Sequence, residues 1–311
     1  MANMSTTAQE LLPTGVDVTF SKIGEAMALG TCQSSSATPM RALVATVVAV
    51  GPADRLAPAA EALEALGDAG TVRGILISEG DMGAPQPRVT GNTVALHGLK
   101  PQFLNNAVAA LRLSSLPTLV WWRGGSVDAL EGVAELADRV VLDDDQPEAT
   151  WARAVTLFED TAFSDLRWAR LTEWRALMAH FFDIPEVLAA AEDFSRLTIA
   201  ASDQMAGRLF AAWLESSIQF REGFAVEFKG GSPDTPLEEV RLGDHDQELV
   251  IRCAAHRTCL ETEVSVTGHR SASRLVQLSD QSLSSLLTGE LKIRSRDAAF
   301  ERALKRLTNV S

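Results

Sequence analysis

The sequence predicts an α/β protein. A mostly parallel N-terminal sheet with helices on both faces is followed by helices and a smaller α+β C-terminal domain with antiparallel strands. Three observations predict this. Short β-branched runs alternate with helical stripes between residues 42 and 142 over short connections, the rhythm of βαβ units. Two of these runs, 43–50 and 118–122, are apolar on both alternating faces, as strands covered from both sides are. Past Asp143 the rhythm gives way to helices, then to strand-like runs broken by glycine and aspartate turns.

Taken in order, residues 1–40 read as a short helix near 21–29 and a polar linker through Gln33 and Pro39. The α/β domain spans 41–160. Its first strand is followed by a helix over 55–66, with Leu56, Ala59, Ala60, Leu63 and Leu66 on one stripe and glycines at 67 and 70 to end it. Strands follow at 72–78 and 93–96, a helix at 103–113, the strand 118–122, a helix at 127–137 and a strand at 139–142. Residues 161–195 form a helical connector, with Thr172 as the expected cap of a helix at 173–182. Trp174, Leu177, Met178 and Phe181 share one face of that helix. The α+β domain spans 196–311. It opens with a strand at 197–201 and a long helix capped by Ser202 or Asp203. The strand-like runs 224–228, 237–242, 248–253, 259–266 and 274–278 come next, and two helices close the chain.

Composition narrows the function. Hydrophobic residues at 46% against 22% charged mark a globular chain, long enough for two domains. The formal charge of −13 repels phosphate backbones and anionic lipid, so neither nucleic acid nor a membrane surface is an expected partner. Three cysteines in a chain of this size fit a reducing cytoplasm. No leader pattern or spanning apolar run is visible.

Catalytic signatures are missing. The glycine loop 80–83 follows a strand, but Pro85 and Pro87 block the helix that a dinucleotide site needs there. His245, His256 and His269 lack zinc-site spacing with Cys253 and Cys259, and no nucleophile elbow is present. No cofactor is expected. Arg123 follows the strand 118–122, at the edge where open α/β sheets bind ligands. With the glycine loop it is the basis of an alternative reading, a sugar-phosphate or nucleotide site. Trp121 and Trp122 point to opposite covered faces and read as core. Trp168, Arg170 and Arg175 fall outside the stripe of Trp174 and are expected to be exposed; with Arg123 they are the expected partner-binding residues, since tryptophan and arginine are enriched at interface hot spots. For Cys253 and Cys259 two hairpin registers compete. One sets the cysteines opposite each other. The other, slid by one residue, pairs Leu249 with Val264 and Cys253 with Leu260.

Three blocks carry a family resemblance over roughly residues 41–307: the Leu-Pro-Thr-Leu-Val-Trp-Trp-Arg-Gly run ending at Gly124, the Asp-Leu-x-Trp-x-Arg-Leu-Thr-x-Trp-Arg pattern starting at Asp165, and the Ala-Ala-Trp-Leu block at Trp213. Together they resemble the OpcA family of bacterial glucose-6-phosphate dehydrogenase assembly proteins. Many members carry proline where this chain has Glu173, and both residues suit a first helical turn. The resemblance implies a non-enzymatic protein of the oxidative pentose phosphate pathway, which binds the dehydrogenase and favours its active oligomer. It also implies, from cyanobacterial members, a thioredoxin-linked cysteine pair whose spacing Cys253 and Cys259 match.

Overall fold

The computed structural model describes residues 11–33, 42–68, 72–82, 85–244, 247–267, 269–270, 273–293 and 295–309. Most of the polar linker, Gly70, Gly83 and His245 lie outside the described residues. The chain forms two compact units, Met1–Leu166 with Ser282–Asp297, and Arg167–Gln281 with Ala298–Ser311. The expected boundaries differ from these. The second unit begins at Arg167, within the expected connector, and a late segment returns to the first unit.

The first unit is built on an eight-stranded sheet. Its strands are β1 (Val16–Asp17), β2 (Ala45–Gly51), β3 (Val72–Met82), β4 (Arg88–Thr90), β5 (Thr93–Leu99), β6 (Thr118–Trp122), β7 (Arg139–Leu142) and β8 (Ala162–Asp165). The order is β1-β4-β5-β3-β2-β6-β7-β8. From β5 to β8 all neighbours are parallel, while β4 and β1 pair antiparallel at one edge. Every residue of β2 and β6 is buried, so both sheet faces are covered. Trp121 and Trp122 have no exposed surface, as the alternation predicts. The stripe of Leu56, Ala59 and Leu63 is likewise fully buried in the helix Ala53–Asp68.

Strand β8 escaped the sequence reading because Ala-Phe-Ser-Asp has no apolar run. Its Asp165 is fully buried and accepts a hydrogen bond from Trp151 Nε1 at 2.8 Å, which replaces the lost water. The returning segment carries the helix Leu283–Glu290. Beside it, at the amino end of β7, the buried Arg139 lies 3.7 Å (Nε) from Glu290 and donates to the Ser295 carbonyl at 3.1 Å.

The second unit holds β9 (Arg196–Ala201), β10 (Ala225–Gly230), β11 (Leu237–Gly243), β12 (Glu248–Cys253), β13 (Cys259–Val266), β14 (His269–Arg270) and β15 (Arg274–Gln277). Their order is β10-β9-β11-β12-β13-β14, with β15 also on β13. β9, the helix Gln204–Ser217 and β10 make one parallel crossover. The other pairings are antiparallel. Asp203 caps that helix by accepting from the Met205 and Ala206 amides at 3.0 and 3.1 Å, as expected. Strands β9 and β13 alternate between buried and partly exposed residues, so one face is core and one meets water. On the wet face Arg241 bridges Glu239 and Glu248, and Arg252 bridges Glu261 and Glu263.

Glu290 supplies a pH test. Burial raises its carboxyl above the ordinary range, against the opposing pulls of Arg139 and the Ser164 hydroxyl. A carboxyl raised on folding favours the folded state while protonated, and that contribution is lost as pH rises through the raised value. Glu290→Gln should therefore gain melting temperature over the parent chain as pH climbs from about 4 to about 8. A difference between the two that stays flat across this range counts against the account.

Candidate functional site

The carboxyl edge of the first sheet is where an open α/β fold binds its ligand, and here the chain fills it. Arg123 follows β6 directly, with its amide donating to the Val50 carbonyl at 2.7 Å. Its guanidinium lies 3.2 Å from Asp143 Oδ2 and 4.6 Å from the centre of the Trp121 ring. Trp121 Nε1 donates to the same Asp143 oxygen at 3.2 Å. Only 7% of Arg123 is exposed, so it sits at the predicted edge but turned inward.

Arg55, in the first turn after β2, completes the knot. It donates to the Arg123 and Asp143 carbonyls at 2.7 and 2.8 Å and to Asp145 Oδ1 at 2.8 Å. Asp144 lies 3.7 Å away and accepts from Thr150 Oγ1 at 2.7 Å. Two guanidiniums thus meet three carboxylates, which leaves no positive excess for an anionic ligand.

The next helix, Val127–Ala134, has an N-terminus that would suit a phosphate. That position holds Glu79, which accepts from the Ser126 amide at 2.9 Å. Burial raises the Glu79 carboxyl, and the Ser126 amide opposes the rise. The approach requires glycine. Gly125 has φ +131°, and a Cβ there would stand 2.6 Å from Glu79 Oε1. The expected glycine loop does not form at Gly80. That residue lies within β3, and a Cβ on it would come within 2.6 Å of the Gly98 Cα.

A pairing missed in the sequence lies alongside. Ser78 Oγ is 2.9 Å from His97 Nδ1 and accepts from the Gly98 amide at 2.8 Å. Ser78 has no exposed surface, so the pair pins the β3–β5 register and offers no accessible nucleophile. Adjacent strands bring these residues together, and no spacing rule announces them.

In the second unit the expected Trp168, Arg170 and Arg175 patch is corrected. Trp168 is 2% exposed. The Arg175 guanidinium lies over its ring at 3.5 Å, and Phe300 packs on it with centroids 5.6 Å apart. Arg175 Nη2 also donates to the Trp168 carbonyl at 3.2 Å. Arg170 and Arg175 are half-buried. The physical reason is a break at Leu171. Trp168 lies on the short helix Leu166–Arg170 and Trp174 on Thr172–Phe181, so the stripe of one helix does not phase the other. Thr172 does not cap its helix; its hydroxyl donates back to the Ala169 carbonyl at 2.7 Å.

Both hairpin cysteines are free thiols. The slid register is the observed one, with Leu249 opposite Val264 and Cys253 opposite Leu260. Cys253 therefore shares the core face with Leu260, while Cys259 points to the other face. Burial raises the Cys253 thiol above its ordinary value, and its sulfur lies 3.4 Å from the Leu237 carbonyl. A direct cross-strand disulfide would need a one-residue slip that turns every side chain of a strand over.

The geometry thus defines a two-unit α/β protein whose sheet edge is occupied by its own side chains. Residues 161–304 match the family model described as the C-terminal domain of a glucose-6-phosphate dehydrogenase subunit. A putative OxPP cycle protein OpcA of Nostoc punctiforme is 27% identical over 157 residues, 47% of this chain and 33% of that relative. The likeness to OpcA proteins thus rests on the C-terminal part of the chain, which aligns with only about a third of that relative's length. Among solved structures, a putative oxidoreductase of Bacillus subtilis is similar over 87% of this chain and 94% of that one, at 8% identity and a TM-score of 0.48. The regulator Gal80p of Kluyveromyces lactis is similar over 86% and 91%, at 8% and 0.46. Likenesses at this distance carry no argument about chemistry.

Two outcomes are expected. Trp168→Ala should cost about 3–5 kcal/mol of stability, as buried tryptophan deletions do, read by denaturant unfolding. A loss under about 1 kcal/mol would return Trp168 to the surface. Alkylation of the air-equilibrated chain should give the same mass before and after reduction. A mass difference would show that the hairpin register is not fixed.

Proposed function

We propose that this chain is a non-catalytic partner of glucose-6-phosphate dehydrogenase that favours the active oligomer of that enzyme. The observation that carries the non-catalytic half is Glu79 at the N-terminus of the helix Val127–Ala134. A carboxylate stands where a nucleotide or sugar phosphate would need amide donors, and the Arg55–Asp145 knot fills the adjoining edge. The alternative reading, a phosphate-bearing ligand on Arg123, loses its cation to Asp143. The dehydrogenase half is supported by the family match over residues 161–304.

Such a protein acts by linkage. It binds the active oligomer better than the inactive form and shifts the population by that difference. The thioredoxin arm of the resemblance gains no support from the cysteine geometry. Regulation through these residues would act on each thiol separately.

Adding the protein to purified dehydrogenase should raise enzyme mass and activity together, followed by light scattering and rate assay on one sample. Unchanged activity at saturating protein would overturn the proposal. The isolated protein should show no thermal shift with NADP⁺ or glucose 6-phosphate. A ligand at 100 times its dissociation constant would stabilise it by about 2.7 kcal/mol, and a shift of that size would restore the alternative.

A further inference from the structure

The first unit also contains a cavity away from the carboxyl edge, at the amino ends of β2, β6, β7 and β8. Its volume is about 140 Å³. Ala45, Pro117, Leu119, Ala162, Leu291 and Ile293 make apolar walls. Ile293, 42% exposed, and the exposed Asp138 stand at the mouth. Glu290 and Thr118 line the same space at 4% and 1% exposure.

Among the described residues, two polar atoms there have no hydrogen-bond partner, Glu290 Oε2 and Thr118 Oγ1. Such atoms are uncommon in folded proteins, and each calls for a partner. Arg139 lies 3.7 Å from Glu290, close enough to balance its charge but too far for a hydrogen bond. The buried floor is therefore near neutral, with one acceptor and one hydroxyl unused. An anion would meet Glu290 and Asp138. A cation would meet Arg139. Water would satisfy the two oxygens but leave the apolar walls wet.

We infer that this cavity binds a small neutral carboxamide with a compact apolar body. The amide N–H donates to Glu290 Oε2, its carbonyl accepts from Thr118 Oγ1, and the apolar body lies against Leu119 and Ile293. The size suits about six heavy atoms, since an engineered apolar cavity of about 150 Å³ takes benzene. Nothing in this site depends on the dehydrogenase reading, so the two stand or fall apart.

Isobutyramide is the probe, titrated into the full chain and followed by NMR of the methyl groups. The expected result is saturable binding with shifts at Thr118 and Ile293, at least tenfold tighter than for isobutyrate or isobutylamine. Thr118→Val keeps the shape and removes a hydroxyl that has no partner among the described residues. It should fold normally and weaken isobutyramide at least tenfold. Ile293→Trp, at the exposed mouth, should block binding without lowering the melting temperature. No saturation, tighter binding of the amine or the acid, or an unaltered affinity in Thr118→Val would each overturn the site and leave a water-filled cavity.

Discussion

The closure of the first sheet's carboxyl edge by Arg55 and Arg123 is the constraint on which the functional reading depends. Parallel strands end there with carbonyls and helix-leading loops that must find partners. In a nucleotide-binding α/β protein the ligand supplies part of that satisfaction. Here Arg55 donates to two backbone carbonyls as well as to Asp145, and Arg123 is held between Asp143 and the Trp121 face. Breaking a partly buried ion pair by removing one partner is costly, because the other charge is left desolvated. Emptying this edge for a ligand would meet that cost at several residues together.

Much of the fold was legible because it rests on local periodicity. The β-branched runs became β2 and β6, and the stripe of Leu56, Ala59 and Leu63 became the buried face of its helix. The hairpin register followed from a stronger rule. The cysteine-opposed register would have turned Leu249 and Ile251 toward the glutamates of β13, so the apolar pattern favoured the pairing found over the one that sets the cysteines opposite each other. What was not legible depends on distant partners. β8 is a strand because Asp165 finds Trp151, and the segment Ser282–Asp297 returns to the first unit because Arg139 and the carbonyl of Ser295 meet. Neither pairing leaves a local signature.

The site divides the same way. Arg123 was located correctly, since strand polarity fixes which edge follows β6, but its inward turn depends on Asp143 in another loop. Glu79 was invisible. A glutamate at the end of a strand reads as a solvated charge, and its role appears only when Gly125 approaches closely enough to bring the Ser126 amide onto it. Trp168 was misplaced because helical phase was carried across the break at Leu171, and because Phe300, which covers it, is far along the chain.

Burial of Trp168 changes what a partner surface can be made of. The chain has no tyrosine. Trp121, Trp122, Trp151, Trp168 and Trp174 are buried, and Trp213 is half-buried against Phe210. The aromatic anchors that dominate most hot spots are therefore committed to the two cores. Among the described residues the exposed large apolar side chains are scattered, Phe20, Leu188 and Leu275 among them. A surface of that kind gains less from desolvated anchors and more from long-range complementarity, which governs association rate and weakens with ionic strength. For a chain of formal charge −13 the complementary face on a partner would be basic. Moving a partner from 1:99 to 99:1 between two oligomeric states takes about 5.5 kcal/mol of differential binding.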